Sequence, residues 1–362
     1  MKSKEHHILL IINPGSTTTK ISLFQEAEQL FFKEVPHQWR DLEQFSSVAS
    51  QEEYRFQCIM EALEEKKELL DSVSAVVGRG GLLHPVASGV FHVNEDMLRD
   101  LMDARYGEHA SNLGAVIAHR FSTSLKVPAF IADPVVVDEM CPEARLSGMP
   151  ELERRSIFHA LNHKSSARKA CEDLGIDYED ARLIVAHLGG GISVAAHAEG
   201  KTVDVNNALD GDGPFSPERS GGVPAGQLAG LVSSGKYSMK EIRKKICGRG
   251  GVFAYLGTKD MREAARMADE GDANASLVLR AMGYQISKEI CGLSAWFSGE
   301  VDAVVLTGGA SRLKMLTDDI ISRVSFIAPV LIIPGEREME ALAENGMRVL
   351  TGKQDAMEYV RK

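Results

Sequence analysis

Two segments of this chain follow one pattern, and their repetition constrains the fold more than any other feature. Residues 8–24 read Ile-Leu-Leu-Ile-Ile-Asn-Pro-Gly-Ser-Thr-Thr-Thr-Lys-Ile-Ser-Leu-Phe, and residues 183–196 read Leu-Ile-Val-Ala-His-Leu-Gly-Gly-Gly-Ile-Ser-Val-Ala-Ala. Each segment is an apolar strand, a turn of small or hydroxyl residues and a second strand. Because strands and helices follow both copies, the sequence predicts a duplicated α/β fold.

The turns of the two hairpins have the character of anion-binding sites. Neither turn runs into a helix, so neither is a P-loop, whose phosphates lie at a helix N-terminus. Small residues at a hairpin tip instead let backbone N–H groups converge on an anion. Residues 13–20 of the first turn add an amide, four hydroxyls and the charge of Lys20. The pair predicts a cleft between the two halves that binds ATP from both sides.

The length of 362 residues suits two domains. Periodicity lapses around residues 135–151, where Pro142 and Pro150 interrupt it. We therefore predict an N-terminal α/β domain over residues 1–145, joined by a C-terminal helix within 340–362. A C-terminal α/β domain is predicted over residues 146–339.

Composition excludes several classes of protein. A net charge of −10 argues against a nucleic-acid binder, whose surface is basic. No apolar run is long enough to span a bilayer, and no signal peptide is indicated. The five cysteines form no CxxC pair, which predicts reduced thiols in a cytoplasmic protein; they are Cys58, Cys141, Cys171, Cys247 and Cys291.

Four side chains are candidates for the chemistry of phosphoryl transfer. Arg79 ends a strand among glycines, where its fork suits a carboxylate or phosphate, although a solvated loop arginine is the alternative. Asp133 follows another strand and is either a functional carboxylate or a turn former before Pro134. His159 lies near the domain boundary. A second histidine follows four residues later, but the glutamate that comes after the first histidine in a zinc-protease motif is absent. Arg219, in a mobile substrate loop over 210–226, could bring a second guanidinium into the cleft.

Two segments near the C-terminus are further candidates. Gly308, Gly309 and Ala310 follow a buried strand and would let the backbone approach a flat ligand such as adenine. Glu336 and Glu338 open the last helix, where they either stabilise its N-terminus or bind Mg²⁺.

The order of these motifs resembles the acetate kinase family of the acetate and sugar kinase/heat-shock 70/actin superfamily, nearly end to end. The segments that carry the resemblance are Asn-Pro-Gly-Ser-Thr-Thr-Thr-Lys (13–20), Gly-Arg-Gly-Gly (78–81), Ala-Asp-Pro (132–134), Phe-His (158–159), His-Leu-Gly-Gly-Gly (187–191) and Thr-Gly-Gly-Ala (307–310). Residues 11–20, 210–221 and 334–342 match the branch of the family that acts on butanoate. The resemblance implies two ribonuclease-H-like domains, each a mixed sheet flanked by helices, with ATP between them.

The resemblance also implies an activity and roles for residues. ATP and a short-chain carboxylic acid would give ADP and an acyl phosphate, with Mg²⁺, in a homo-oligomer. Arg79 would bind the acyl carboxylate, Asp133 would serve the metal or acceptor side, and His159 would contact the transferring phosphoryl group. The remaining roles would be nucleotide binding by Asn13, Ser16, Thr18, Lys20, His187, Gly189, Gly190, Gly191, Asp260, Met261, Arg262, Gly308, Gly309 and Ala310, and metal binding by Asn13 and Glu338, with Glu336 as a rival.

Two departures from the family pattern leave alternatives open. Acetate kinases carry Asn where this chain has Gly190, and their second active-site arginine is replaced here by a segment reading Gly-Gly-Val-Pro-Ala. Arg219 is a candidate substitute. An acetate or propionate kinase, a sugar kinase and a non-catalytic ATP switch of the actin kind are the competing interpretations.

Overall fold

The computed structural model describes residues 6–362, apart from the side chain of Trp39. The chain divides into two compact units. The first unit extends to Val137 and includes Arg337–Lys362, and the second unit is Asp138–Glu336. The predicted boundaries, after residues 145 and 339, lie a few residues later than these changes of unit.

The strands are short and mostly buried. In chain order they are β1 (Ile8–Pro14), β2 (Thr18–Gln25), β3 (Glu28–Pro36), β4 (Val73–Arg79), β5 (Val90–His92), β6 (Ala129–Ala132), β7 (Leu183–Leu188), β8 (Ile192–Ala198), β9 (Lys201–Val205), β10 (Ala303–Gly308) and β11 (Val330–Pro334).

The α-helices include several that the sequence pattern did not predict. In chain order they are α1 (Trp39–Glu43), α2 (Glu52–Leu63), α3 (Lys67–Leu70), α4 (Glu95–Met102), α5 (Asn112–Leu125), α6 (Pro142–Arg145), α7 (Ala160–Leu174), α8 (Ala225–Ser233), α9 (Met239–Ile246), α10 (Gly251–Leu256), α11 (Met261–Asp269), α12 (Ala273–Leu293), α13 (Lys314–Val324) and α14 (Glu338–Leu350).

The sheet of the first unit has the strand order β3-β2-β1-β4-β6-β5. Strands β1, β2 and β3 form an antiparallel meander, while β4 pairs with β1 in parallel and β6 pairs with β4 in parallel. Consequently the carboxyl ends of β1, β4 and β6 meet at one edge, with Arg79 opposite Ala132. Functional side chains of α/β folds commonly lie at such an edge.

The sheet of the second unit has the order β11-β10-β7-β8-β9. Its meander β7-β8-β9 is antiparallel, and β10 pairs in parallel with both β7 and β11. The spatial order β9-β8-β7-β10-β11 therefore repeats the order β3-β2-β1-β4-β6 of the first sheet. The predicted duplication of a mixed sheet with flanking helices is therefore confirmed, and it is the topology of a ribonuclease-H-like domain.

The apolar runs found in the sequence form the centres of the two sheets. All residues of β1 and of β7 are buried, as are those of β10. Helix α5 packs on the first sheet and α12 packs on the second. A 3₁₀ turn at 64–66 separates α2 from α3. No helix among residues 6–362 is both long and apolar enough to cross a bilayer.

Candidate active site

The first turn connects β1 to β2 and exposes hydroxyl side chains. Gly15 donates its backbone N–H to the carbonyl of Thr18 (2.7 Å), which closes the turn. Ser16 is exposed and Thr18 is half-buried. Lys20 is the register partner of Asn13, so their side chains leave the same face of the sheet. The predicted donors of this turn therefore lie close together.

A buried arginine from α2 lies beneath the first turn. The guanidinium of Arg55 donates to the carbonyls of Gly15 (2.8 Å) and Ser16 (2.9 Å), and its Nε donates to Oε1 of Gln51 (3.0 Å). Only 1% of Arg55 is exposed. Burial lowers the pKa of Arg55 to about 10, so the side chain is still charged at neutral pH. The carbonyls of the turn are thereby bound from inside, and a positive charge lies behind the turn that is predicted to bind an anion.

Asn13, Arg79 and Glu338 form one hydrogen-bonded group in the first unit. Arg79 holds the Glu338 carboxylate with both ends of its fork, Nη2 to Oε1 at 2.9 Å and Nη1 to Oε2 at 3.0 Å. Asn13 donates from Nδ2 to Glu338 Oε2 (2.7 Å) and accepts from Arg79 Nη1 (3.3 Å). The predicted carboxylate-binding arginine and the two predicted metal ligands are thus in direct contact.

Asp133 lies at the same sheet edge, one residue beyond the register partner of Arg79. Its φ of +37° is a strained conformation for a residue other than glycine. Oδ1 accepts from Ser88 Oγ (2.6 Å) and from the N–H of Gly89 (2.8 Å), whereas Oδ2 is buried without a hydrogen-bond partner among the described residues. The carboxylate therefore combines the turn-forming role with one oxygen that suits a cation or its water.

The oxygen atoms of this edge fit Mg²⁺. Asn13, Glu338 and Asp133 offer an amide and two carboxylates, the hard donors that this ion prefers, and Mg²⁺ is usually held by one or two carboxylates together with phosphate oxygens. Glu336, the predicted rival of Glu338, belongs to the second unit, where its backbone carbonyl accepts from Asn162 Nδ2 (2.6 Å). The contacts with Asn13 and Arg79 favour Glu338.

The second turn consists of Gly189, Gly190 and Gly191 between β7 and β8. Gly189 donates to the carbonyl of Gly191 (3.1 Å), and the carbonyl of Gly190 accepts from Ser216 Oγ (2.6 Å). A Cβ on Gly191 would lie 1.9 Å from Arg219 Nη1, whereas a Cβ on Gly190 would first meet Glu218 Oε1 at 3.7 Å. A larger residue at 191 would therefore displace the guanidinium of Arg219, but nothing around the Cβ position explains why Gly190 departs from the family's Asn.

Arg219 lies against this turn. Its Nη1 donates to the carbonyl of Ala208 (2.5 Å), and its Nε is buried without a partner among the described residues. The predicted swinging arginine is instead held beside Gly191, because the glycine leaves space that the guanidinium fills. In this position it supports the second turn.

His159 and His187 stack on each other. Their ring centroids lie 3.8 Å apart with an angle of 9° between the planes. His187, on β7, pairs through Nδ1 with Asn162 Oδ1 (2.7 Å), and His159 pairs through Nδ1 with Ser193 Oγ (2.9 Å). The structure thus brings the histidine predicted for the phosphoryl group into contact with the strand that carries the second turn.

The segment predicted for the nucleotide, Asp260–Arg262, contributes to one cavity of about 250 Å³ in the second unit, and the turn predicted for adenosine, Gly308–Ala310, precedes another of its lining residues. Met261, at the start of α11, lines it together with Leu313, which follows the 3₁₀ turn Gly309–Arg312. Gly308 has a φ of +87° and leaves no room for a Cβ against the backbone of Leu188. Asp260 caps α11 and pairs with Arg262 (2.8 Å), which lowers the pKa of Asp260 to about 2.

Comparison with known proteins decides the family. The model of the Acetokinase family matches residues 139–356. Butyrate kinase 2 of Clostridium acetobutylicum is 50% identical over 351 residues, which cover 97% of this chain and 99% of that protein. A probable butyrate kinase of Coprothermobacter proteolyticus is 51% identical over 352 residues, again covering 97% and 99%. The chain belongs to the acetokinase family.

The fold of this acetokinase agrees with solved structures. A crystal structure of Porphyromonas gingivalis acetate kinase superposes with a TM-score of 0.76 and 20% sequence identity, covering 95% of this chain and 100% of that one. The resemblance found in the sequence is thereby confirmed for the family and for the fold. The roles of individual site residues stay predictions.

Several residues of this acetokinase site were not found from the sequence. Arg55 occupies the buried face of α2 together with Phe56, Ile59 and Leu63. A charged residue within an apolar helical stripe is a detectable signal, because an arginine is rarely fully buried unless it has partners. Ser193 and Ser216 carry no comparable signal, since their importance depends on hydrogen bonds between distant segments.

Proposed function

We propose that this acetokinase is a butyrate kinase. It transfers the γ-phosphoryl group of ATP reversibly to the carboxylate of butanoate, or of a related short or branched fatty acid, and yields an acyl phosphate and ADP. Relatives named as butyrate kinases, at about half sequence identity over nearly the whole chain, support this choice over an acetate or propionate kinase.

One observation of geometry carries the proposal. The fork of Arg79 already holds a carboxylate, that of Glu338, through two parallel hydrogen bonds. Bidentate binding of a carboxylate is what an arginine must do to present a short fatty acid. We propose that the acid takes the place of Glu338 on Arg79, which leaves Glu338 and Asn13 to hold Mg²⁺.

The reaction needs positioning and charge neutralisation more than proton transfer. A carboxylic acid with a pKa near 4.3 is ionised at neutral pH, so no general base is required before its oxygen attacks the γ-phosphorus in line. The bond from that phosphorus to the ADP oxygen breaks as the acyl phosphate bond forms. Arg79, His159 and Lys20 oppose the repulsion between the two anions.

Asn13, Glu338 and Asp133 are the residues that would hold Mg²⁺. The ion, when bound, supplies charge neutralisation at the phosphate oxygens. For Asp133, the buried oxygen without a protein partner supports this assignment. For Glu338, its contact with Asn13 supports it.

The nucleotide is proposed to contact both turns. Ser16, Thr18 and Lys20 would bind its phosphates through the first turn, and residues 187–191 would bind them through the second. The adenosine would lie by Gly308–Ala310 and Asp260–Arg262, and the cavity beside Met261 and Leu313 supports this. Arg219 would act as a positioning residue for the second turn.

A hydroxamate assay with ATP, Mg²⁺ and a series of fatty acids from acetate to valerate tests the proposal. We expect acyl hydroxamate with the highest kcat/KM for butanoate or a branched acid of similar size, because each buried methylene contributes about 0.8 kcal/mol. A maximum at acetate or propionate would favour the alternative within the family. ATP binding without any turnover would favour a non-catalytic switch.

The variant Arg79→Ala tests the site within the same assay. The KM for the acid should rise and kcat should fall, while the Kd for ATP changes little. Arg182→Ala is a matched control, because Arg182 also forms two bonds to carboxylate oxygens, those of Glu300 and Asp302, but its side chain is 44% exposed. Unaltered kinetics in Arg79→Ala would remove Arg79 from the mechanism.

We also propose a cytoplasmic homo-oligomer. All five cysteines are free thiols, which fits a reducing compartment. Helix α8, rich in apolar residues, has no buried residue, as expected of an element that another copy covers. Light scattering coupled to gel filtration measures the oligomeric state.

A further inference from the structure

A chain of buried hydrogen bonds connects Tyr178 to His159 within the second unit. The Tyr178 hydroxyl lies 2.8 Å from His197 Nδ1, and His197 Nε2 lies 3.3 Å from His163 Nδ1. His163 Nε2 is 2.8 Å from Ser193 Oγ, which in turn is 2.9 Å from His159 Nδ1. Every ring nitrogen of His163 and His197 is used in this chain, so neither ring has a nitrogen left for a metal.

The middle of the chain is electrically neutral. His163, His197 and Ser193 have no exposed surface. Burial lowers the pKa of both rings well below the usual value for histidine, and the charge of Lys164 lowers both further. Both rings therefore carry a single N–H and one acceptor nitrogen at neutral pH.

A row of neutral imidazoles and hydroxyls has one direction of donation throughout. An imidazole that accepts at one nitrogen donates from the other. The Ser193 hydroxyl bonds only to His163 and His159 among the described residues, so if it accepted from both rings its own buried proton would lack a partner. It therefore accepts from one ring and donates to the other, and the direction is decided at an end of the row. The Tyr178 phenol favours donation to the imidazole, because its proton is more acidic than that of an imidazole N–H. The cations of Lys164 and Arg168 lie 5.7 and 5.6 Å from the centre of the Tyr178 ring and favour negative charge on the phenol oxygen.

Donation from Tyr178 determines the state at the other end. His197 then donates from Nε2 to His163, His163 donates from Nε2 to Ser193, and Ser193 donates to His159 Nδ1. With its Nδ1 accepting, neutral His159 carries its proton on Nε2. A protonated Nε2 is the form that donates a hydrogen bond to an anion.

We propose that Tyr178, His197, His163 and Ser193 are positioning residues that hold His159 in its Nε2–H tautomer. In the reaction proposed above, on which the second part of this inference rests, His159 then donates to the transferring phosphoryl group. The stack with His187 holds the plane of the ring, while the hydrogen-bond chain determines which nitrogen carries the proton.

The tautomer can be read directly from the ¹⁵N shifts of histidine-labelled enzyme, with His159 assigned by the signal that His159→Gln removes. We expect an Nε2–H ring in the wild type without substrate. Ser193→Ala and Tyr178→Phe should both shift the population toward Nδ1–H. Ser165→Ala is the control, because Ser165 is a buried serine of α7 with no hydrogen-bond partner among the described residues, and it should leave the tautomer unchanged.

Kinetics provide the second measurement. Ser193→Ala should lower kcat about tenfold to a hundredfold, the range seen when an outer partner that orients a functional histidine is removed, with little change in the Kd for ATP. An Nε2–H ring that persists in both variants would overturn the proposal, as would an imidazolium or Nδ1–H ring in the wild type. Because the tautomer is measured without substrate, a wild type that forms no acyl phosphate would count against the proposed function and not against this inference.

Discussion

The two phosphate-type turns have the same place in their sheets but are supported in different ways. In the first, the carbonyls of Gly15 and Ser16 are bound by the buried guanidinium of Arg55. In the second, the carbonyl of Gly190 is bound by the hydroxyl of Ser216, and Gly191 leaves space for Arg219. In both turns, backbone carbonyls thus accept hydrogen bonds from side chains of the protein. The donor is a charged guanidinium in the first turn and a neutral hydroxyl in the second.

This difference matters for how each turn would bind an anion. The first turn has hydroxyl side chains and a positive charge behind it, so part of its attraction for phosphate is electrostatic. The second has no side chains at its tip and depends on backbone N–H groups, whose direction is determined by small residues and close packing. The first turn should therefore be sensitive to the loss of charge, and the second to the addition of volume.

Arg55→Met should have the largest effect of any single substitution in the two turns and their supports. It removes two partly buried hydrogen bonds from a charged donor, each worth roughly 1.5–3 kcal/mol, so we expect a loss on the order of 3 kcal/mol in the free energy of unfolding. The Kd for ATP should rise more than about tenfold. Urea denaturation and calorimetric titration measure the two quantities.

The control for this change is Arg323→Met, since Arg323 is a partly exposed arginine that pairs with Asp319 on α13. It should change stability by less than about 0.5 kcal/mol. A destabilised Arg55→Met enzyme with an unaltered Kd for ATP would show that the buried charge supports the fold but not the binding of phosphate.

A pair of alanine substitutions tests the dependence of the second turn on volume. Gly191→Ala should displace Arg219 and raise the Kd for ATP about tenfold, since overpacking commonly costs about 1–3 kcal/mol. Gly190→Ala adds the same methyl group one residue earlier, where its first neighbour is at ordinary contact distance, and should change the Kd less than about twofold. Equal effects of the two variants would contradict the proposed role of packing.

The sequence predicts the two hairpins and most buried strands because their apolar runs and turns are local signals. Both turns and the strand that ends at Arg79 are found where local pattern predicts them. Helix α8 was missed because its apolar residues follow a Gly/Pro-rich loop and are not covered by the chain itself. The local sequence pattern thus predicts secondary-structure elements better than it predicts what packs against them.

The candidate site is predictable for a different reason. Arg79 and Asp133 were predicted because functional residues of α/β folds lie at strand ends, and Asn13 was predicted as a donor of the first turn. In the structure their strands are parallel neighbours. Arg219 was given a mobile role because its contact with Gly191 joins segments that are far apart in the chain. Arg55 was missed for the same reason, although its position in an apolar stripe was visible.

Ser216→Ala should have a smaller effect than Gly191→Ala. It removes one neutral hydrogen bond, to the carbonyl of Gly190, which is worth about 1 kcal/mol or roughly a fivefold rise in the Kd for ATP. Ser220→Ala is the matched control in the same loop, because within the described part of the chain its hydroxyl bonds only to the neighbouring carbonyl of Gly221. A fall in affinity as large as that of Arg55→Met would remove the distinction between charged and neutral support.

The smallest expected effect is a pH dependence that belongs to the first turn. His37 Nε2 pairs with Thr19 Oγ1 (2.8 Å), and burial together with the charge of Arg55 lowers the pKa of His37 to about 4. The unfolded chain, with a pKa near 6.5, binds the proton first, so stability is complete above about pH 6.5 and is lost as pH falls toward 4. Between about pH 7 and pH 6 the loss of stability due to His37 should be less than about 1 kcal/mol.

Because buried His163 and His197 titrate in the same direction, the measurement is the difference between wild type and His37→Gln in urea denaturation at both pH values. The variant should lose less stability on acidification; parallel losses would show that neither burial nor the charge of Arg55 lowers the pKa of His37 in the folded protein.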